Sequence, residues 1–135
     1  MRAVPRSRPL VVAAAVAAAV VVNLVVYAVG RAAGGSFTFT RGGTPATVDA
    51  ATVAGFSAVP LLLGLVAVAL LVGRWPIVAR VALVVAPVLA VVTIGLMTLP
   101  VDLDTVSTVT LALCHLTLAP ISVLAIRALR GSATD

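Results

Sequence analysis

The sequence has no lysine and no glutamate; its 9 cationic side chains are all arginine and its 4 acids all aspartate. Charged residues make up 10% of the chain and hydrophobic ones 62%, against roughly a quarter and a half in a soluble globule. Aromatics are 4%, with one Cys and one His. Each scarcity excludes a class of chemistry. A lone Cys114 rules out an intramolecular disulfide, and with it paired-cysteine redox or zinc chemistry within one chain. A lone His115 leaves bis-histidine haem ligation dependent on a second subunit. No Asp falls inside an apolar run, so the embedded carboxylate on which small proton-coupled four-helix exporters rely is missing. The net charge of +5 is spread over tails and loops without interleaved aromatics, so nucleic acid is not an expected partner. The Ala, Val and Arg preference reflects a GC-rich coding composition.

What is present is four long apolar runs, at 10–29, 50–72, 77–99 and 105–126. About 20 helical residues cross a bilayer, so the expectation is an all-α, integral membrane four-helix bundle forming a single domain. A basic start before an apolar run also describes a signal peptide, but a cleaved one has an apolar region of roughly 7–15 residues. The first run is longer and three more follow, which favours a retained helix. With those runs removed, no watery domain of catalytic size remains.

The connection 30–49 is Gly-rich and carries the alternating stretch Ser36-Phe37-Thr38-Phe39-Thr40. Such alternation suits a short strand; the other reading dips Phe37 and Phe39 into the membrane interface, with Gly34, Gly35, Gly42 and Gly43 giving mobility. Thr44-Pro45 or Asp49 offers the next helix start. Gly73-Arg74-Trp75-Pro76 forms a tight antiparallel turn, with Trp75 at headgroup depth and Arg80 snorkelling back. Asp102 and Asp104 suit capping of the fourth helix better than cation binding. Arg127 and Arg130 close the fourth span in a polar C-terminal tail, 127–135, whose end is expected to be disordered.

Arginine placement orients the chain. Arg2, Arg6, Arg8, Arg74, Arg80, Arg127 and Arg130 fall on one side, against Arg31 and Arg41 on the other. By the positive-inside rule both termini are cytoplasmic, in a multi-pass plasma-membrane protein. Association of the spans is expected through small residues: Ala15, Ala19 and Asn23 then Tyr27 in the first, Pro60 and Gly64 in the second, Ala82, Ala86 and Ala90 in the third. Pro60, Pro87 and Pro120 lie inside spans; each frees a carbonyl that neighbours must satisfy.

The fourth span holds the candidate polar intramembrane site. Thr108, His115 and Ser122 recur every seven residues, so they share a face with Ala112 and Ala119, while Leu111, Leu118 and Leu124 lie away from it. His115 is the only ionisable residue deep in a span, and such residues are functional suspects. A neutral imidazole still needs a donor and an acceptor. Asn23 is the leading partner, differing in depth by about one helical turn, roughly 5 Å; Thr93 is the other. An interhelical His–Asn bond serves equally as glue. Cys114 and His115 point about 100° apart, so they do not form a shared metal site. Cys114 is most simply a small buried hydrophobe.

Thr44-Pro45-Ala46-Thr47-Val48, the Arg-marked turn and Leu113-Cys114-His115-Leu116 give a likeness over most of the chain from residue 44 onward. In these respects the chain resembles uncharacterised families of small four-helix integral membrane proteins of actinobacteria, some of which carry a hydrophobic residue, His and Leu in the final helix. The resemblance implies the same architecture and adds weight to His115, but implies no substrate. The expected function is a non-enzymatic membrane component, in contact with the lipid bilayer and assembling with itself or with a larger complex. The alternative is a channel or carrier for a small solute with His115 near the midplane. No catalytic constellation and no cofactor site is visible.

Overall fold

The computed structural model describes residues 7–131. Arg2 and Arg6 of the basic start, and the end of the expected polar tail from Ser132, lie outside the described residues. Four helices, α1 (Arg8–Ala32), α2 (Ala50–Leu71), α3 (Ile77–Thr93) and α4 (Thr105–Gly131), are joined by one β-hairpin of strands β1 (Thr38–Arg41) and β2 (Thr44–Thr47). A π-helical turn, Ile94–Thr98, extends α3, and each of the four resulting helices is long and apolar enough to cross a membrane. The chain is thus helical as expected, with the hairpin as an addition. The fourth helix runs on past the expected boundary through Arg127 and Arg130 to Gly131, because no Gly or Pro interrupts the stretch between Pro120 and Gly131.

Burial is inverted relative to a soluble bundle. Val21, Val25, Leu63, Leu70, Val84, Leu96 and Leu124 are exposed, whereas Asn23, Ser57, Thr98, Ser107, Thr110 and Ser122 are buried. That arrangement suits surroundings as apolar as Leu, where polar groups must be satisfied inside. Helix α1 packs against α2 and α4, α4 against α3, and α2 crosses to α4, while α2 and α3 barely touch. At the Arg8 end the interior is filled by Val11, Val12, Leu65, Val68, Val72, Ala79, Ala125, Ile126 and Leu129. Ala19 and Ala90 are buried in the small-residue stripes. Pro60 and Gly64 are exposed; the buried edge of α2 is Val53, Ser57, Leu65 and Val68. Helices α2, α3 and α4 run through Pro60, Pro87 and Pro120 without interruption. Arg8 donates to the Ala69 carbonyl (3.0 Å) near the C-terminal end of α2, where a cation meets the negative end of the helix dipole.

The hairpin resolves the two readings of 30–49 in favour of the strand. Gly42 and Gly43 have φ of 57° and 82°, the positive values that a two-residue type I′ turn needs at both central positions. Thr44-Pro45 is therefore strand, and Asp49 alone caps α2, accepting from the Thr52 N–H (2.7 Å). The hairpin is clamped to the start of α4. Asp104 accepts from the N–H and hydroxyl of Ser107 (2.9 and 2.6 Å) and from the N–H and hydroxyl of Ser36 (3.0 and 2.7 Å). It is at once the N-cap of α4 and the anchor of the loop. Asp102 accepts from the Thr40 N–H (2.7 Å). Phe37 adopts φ 56°, unfavourable by roughly 1–2 kcal/mol for an L residue. It is held there by complete burial of its ring, contact with Tyr27 at 4.6 Å and donation of its N–H to Ser107 Oγ (2.8 Å).

Two outcomes follow for the hairpin end. The hydroxyl and N–H of Ser107, with the Ser36 hydroxyl, hold the Asp104 carboxyl well below its ordinary 3.8. A depressed folded-state pKa contributes stability that is complete above the ordinary value and lost as pH falls through the folded one. Protection of the Ser36 and Phe37 amides from hydrogen exchange should therefore hold from neutrality to about pH 4 and decline only below it. In Asp104→Ala it should be weak throughout, and a decline already complete near pH 5 would contradict the clamp. Separately, a methyl group at Gly30 would overlap the Thr110 side chain, so Gly30→Ala should force α1 and α4 apart, costing about 1–3 kcal/mol in detergent melts.

Candidate functional site

The buried polar node is built on α1. Asn23, 1% exposed, donates from Nδ2 to Ser57 Oγ on α2 (2.7 Å) and to the Cys114 carbonyl on α4 (3.1 Å), and its Oδ1 accepts from the Thr117 hydroxyl. Ser57 passes its own proton to the Val53 carbonyl (2.7 Å). Every hydrogen-bonding group of the amide is met, and one side chain ties three helices together. Cys114 is buried beside it, as a small hydrophobe would be, with Sγ 3.8 Å from the Asn23 carbonyl.

His115 is not part of that node. Its Nδ1 lies 3.0 Å from Thr93 Oγ1 on α3, so the alternative partner is the one engaged and the leading Asn23 pairing is not formed. The reason is rotational: neighbouring helical residues diverge by about 100°. With Cys114 turned to α1, His115 must turn towards α3. The remaining residues of the expected face separate too. Thr108 is half-buried and donates to the Asp104 carbonyl one turn back on its own helix (3.0 Å). Ser122 is buried and donates to the Ala119 carbonyl (2.8 Å). The seven-residue repeat thus shares a face without forming one cluster. The face truly turned inward in the hairpin half of α4 begins one residue earlier, with Ser107, Thr110 and Cys114.

A cavity of about 570 Å³ opens between α2 and the end of α3. Asn23, Ser57, Cys114 and His115 lie along its inner part, Val53, Phe56, Met97, Leu111 and Leu118 form apolar walls, and Phe39, Arg41 and Val48 belong to the hairpin above. Leu111 and Leu118, expected to face away, line it because they stand four residues before and three after His115, on one face of α4. Ser57, Thr98 and Thr117 were not anticipated. A small polar residue at matching depth in each span was the only signal pointing to them. The π turn that brings Met97 and Thr98 to the cavity has no sequence mark. π turns recur at functional sites. Among the described residues, no group of three His, Cys, Asp or Glu side chains stands close enough to hold a metal ion.

The sequence pattern described as a family of unknown function (DUF6069) matches residues 3–132, so the chain belongs to that family. No curated protein and no solved structure matches it.

The two candidate polar residues should separate in a stability measurement. Asn23→Ala removes every interhelical bond of a fully buried node, leaving Ser57 and Thr117 only carbonyls of their own helices, and should cost about 1–3 kcal/mol. His115→Ala removes one bond at a half-buried position, and about 0.6 kcal/mol is the average for such bonds between membrane helices. Equilibrium unfolding in mixed micelles giving the reverse order would contradict the assignment of Asn23 as the node.

Proposed function

We propose that this member of a family of unknown function is a non-enzymatic, multi-pass component of the plasma membrane, with both termini cytoplasmic, that binds a small ligand from within the membrane. One observation carries the proposal. The cavity occupies the hairpin half of the bundle and reaches Asn23 and His115, whereas the Arg8 half is filled by aliphatic side chains. A site closed at its inner end suits binding better than conduction. The non-enzymatic part is supported by the polar groups themselves: Asn23, Ser57 and Thr117 are spent on one another, and the Thr93 hydroxyl beside His115 also points at carbonyls of its own helix.

The orientation rests on charge. Arg8, Arg74, Arg80, Arg127 and Arg130 lie towards one end, and Arg31 and Arg41 lie at the other with Asp49, Asp102 and Asp104, a bias that supports a cytoplasmic first end. The chain then takes its place among the small actinobacterial membrane proteins it resembles. Helix α3 is the least enclosed of the four, and its outward Val81, Val84, Val88 and Leu89 offer a face for a second copy or a larger complex.

A carrier for a small solute is the second reading. It is favoured by internal Pro60, Pro87 and Pro120 and by the π turn beside the cavity, all potential hinges. Proteoliposome flux separates the two. The binding reading expects no transport of ions or small neutral solutes above empty vesicles; flux abolished by His115→Ala would establish the carrier instead. Reporter fusions should place both ends in the cytoplasm, and an end accessible from outside intact cells would overturn the orientation.

A further inference from the structure

Resting on the reading of a membrane-embedded binding protein, the hydrogen bonds around His115 specify the chemistry of the ligand. Thr93 has one hydroxyl proton, and that hydroxyl already points at the carbonyls of Leu89 (2.8 Å) and Ala90 (3.0 Å). With its proton on either carbonyl, the Thr93 oxygen is left to accept from His115 Nδ1. In that arrangement the ring proton of the neutral imidazole is on Nδ1, and Nε2 carries a bare lone pair. No other hydrogen bond engages the ring, yet the ring has no enclosed, unsatisfied nitrogen. Nε2 is accessible, and His115 lines the cavity.

A second polar group at the cavity is likewise unspent. Thr98, on the π turn, is 2% exposed, and its hydroxyl makes no hydrogen bond to the described residues and is not enclosed. It also lines the cavity. The cavity thus offers an acceptor at His115 and a hydroxyl at Thr98, set among Val53, Phe56, Met97, Leu111 and Leu118. No carboxylate lines it to receive a cation, and its one cationic side chain, Arg41, is exposed and open to hydration.

The way in is lateral. Phe56 on α2 and Met97 on the π turn both line the cavity and are 60% and 49% exposed. They stand on the two helices that barely touch, so the mouth opens on the surface that would face lipid tails. The hairpin closes the direction of the loops. The volume falls within the roughly 300–1,000 Å³ of small-molecule sites.

We propose that this cavity is a lateral binding site for a membrane-dissolved alcohol or phenol, whose hydroxyl donates to His115 Nε2 while its oxygen accepts from Thr98. An ether of the same carbon skeleton cannot donate and leaves the imidazole lone pair unmet. It should therefore bind more weakly.

The full-length protein in lipid nanodiscs tests this with a long-chain primary alcohol carrying a diazirine on its chain, its methyl ether and its carboxylate analogue. After irradiation, peptide mass spectrometry should find the alcohol on peptides containing Phe56, Met97 or Leu111, at about tenfold lower concentration than the ether. His115→Phe should reduce the alcohol to the level of the ether without changing helicity. His115→Gln, which keeps an acceptor, should retain part of the preference. If His115→Phe fails to fold, Thr98→Val should lower the preference in the same direction. Equal labelling by alcohol and ether, or a preference surviving His115→Phe, sinks the hydroxyl specificity while leaving a binding cavity. Preferred labelling by the carboxylate, lost in Arg41→Gln, identifies an anionic amphiphile instead and overturns the proposal. Absence of cavity labelling by all three probes removes the binding reading as well.

Discussion

Satisfaction of the enclosed polar groups without water governs this bundle, and the Asn23 amide is where that constraint is met most fully. In apolar surroundings there is little hydrophobic gain from pressing Val against Val, so helices are held by close approach and by hydrogen bonds that have no better alternative. Asn23 reaches Ser57, Cys114 and Thr117, and these contacts set the mutual rotation of α1, α2 and α4. Once α4 is turned so that Cys114 faces Asn23, His115 must face α3, where Thr93 receives it. Leu111 and Leu118 then come to the cavity. One amide thus accounts for most of the side-chain arrangement in that half.

At the end carrying the hairpin, charge does the comparable work. Asp104 joins residues 68 apart in sequence by serving two roles with one carboxylate: its oxygens cap α4 and also hold the N–H and hydroxyl of Ser36. Asp102 secures β1 in the same way. An otherwise isolated two-stranded hairpin is only marginally stable, so these carboxylates, and the burial of Phe37 against Tyr27, explain why a Gly-rich connection takes one conformation. The Gly42-Gly43 pair serves turn geometry, not mobility.

The unequal packing of the helices creates the cavity. Because α2 crosses towards α4 and leaves α3, a seam opens at the π turn, where an extra backbone residue in the helical circuit carries Thr98 inward. The same seam is filled at the other end by Leu65, Val68, Val72 and Ala79. The result is a compartment open to the side, roofed by the hairpin and closed below. Family membership adds no activity to this geometry, and the chemistry has to be read from the side chains that remain unspent.

Four helices, their approximate limits, the charge bias between the ends and Asp49 as one of two candidate caps were legible in the residues alone. Each is a local or one-dimensional property: hydropathy over a span of fixed length, or one side chain reaching its own helix start. The heptad of Thr108, His115 and Ser122 was legible as a face, but periodicity leaves the rotation of a helix about its axis open, and a shift of one residue moves a side chain by about 100°. Only tertiary contact decided that rotation, the docking of the hairpin through Asp104, and the exchange of Asn23 for Thr93 as the partner of His115. These depend on which distant polar group is within reach once the backbones have packed, and no spacing along the chain encodes that distance.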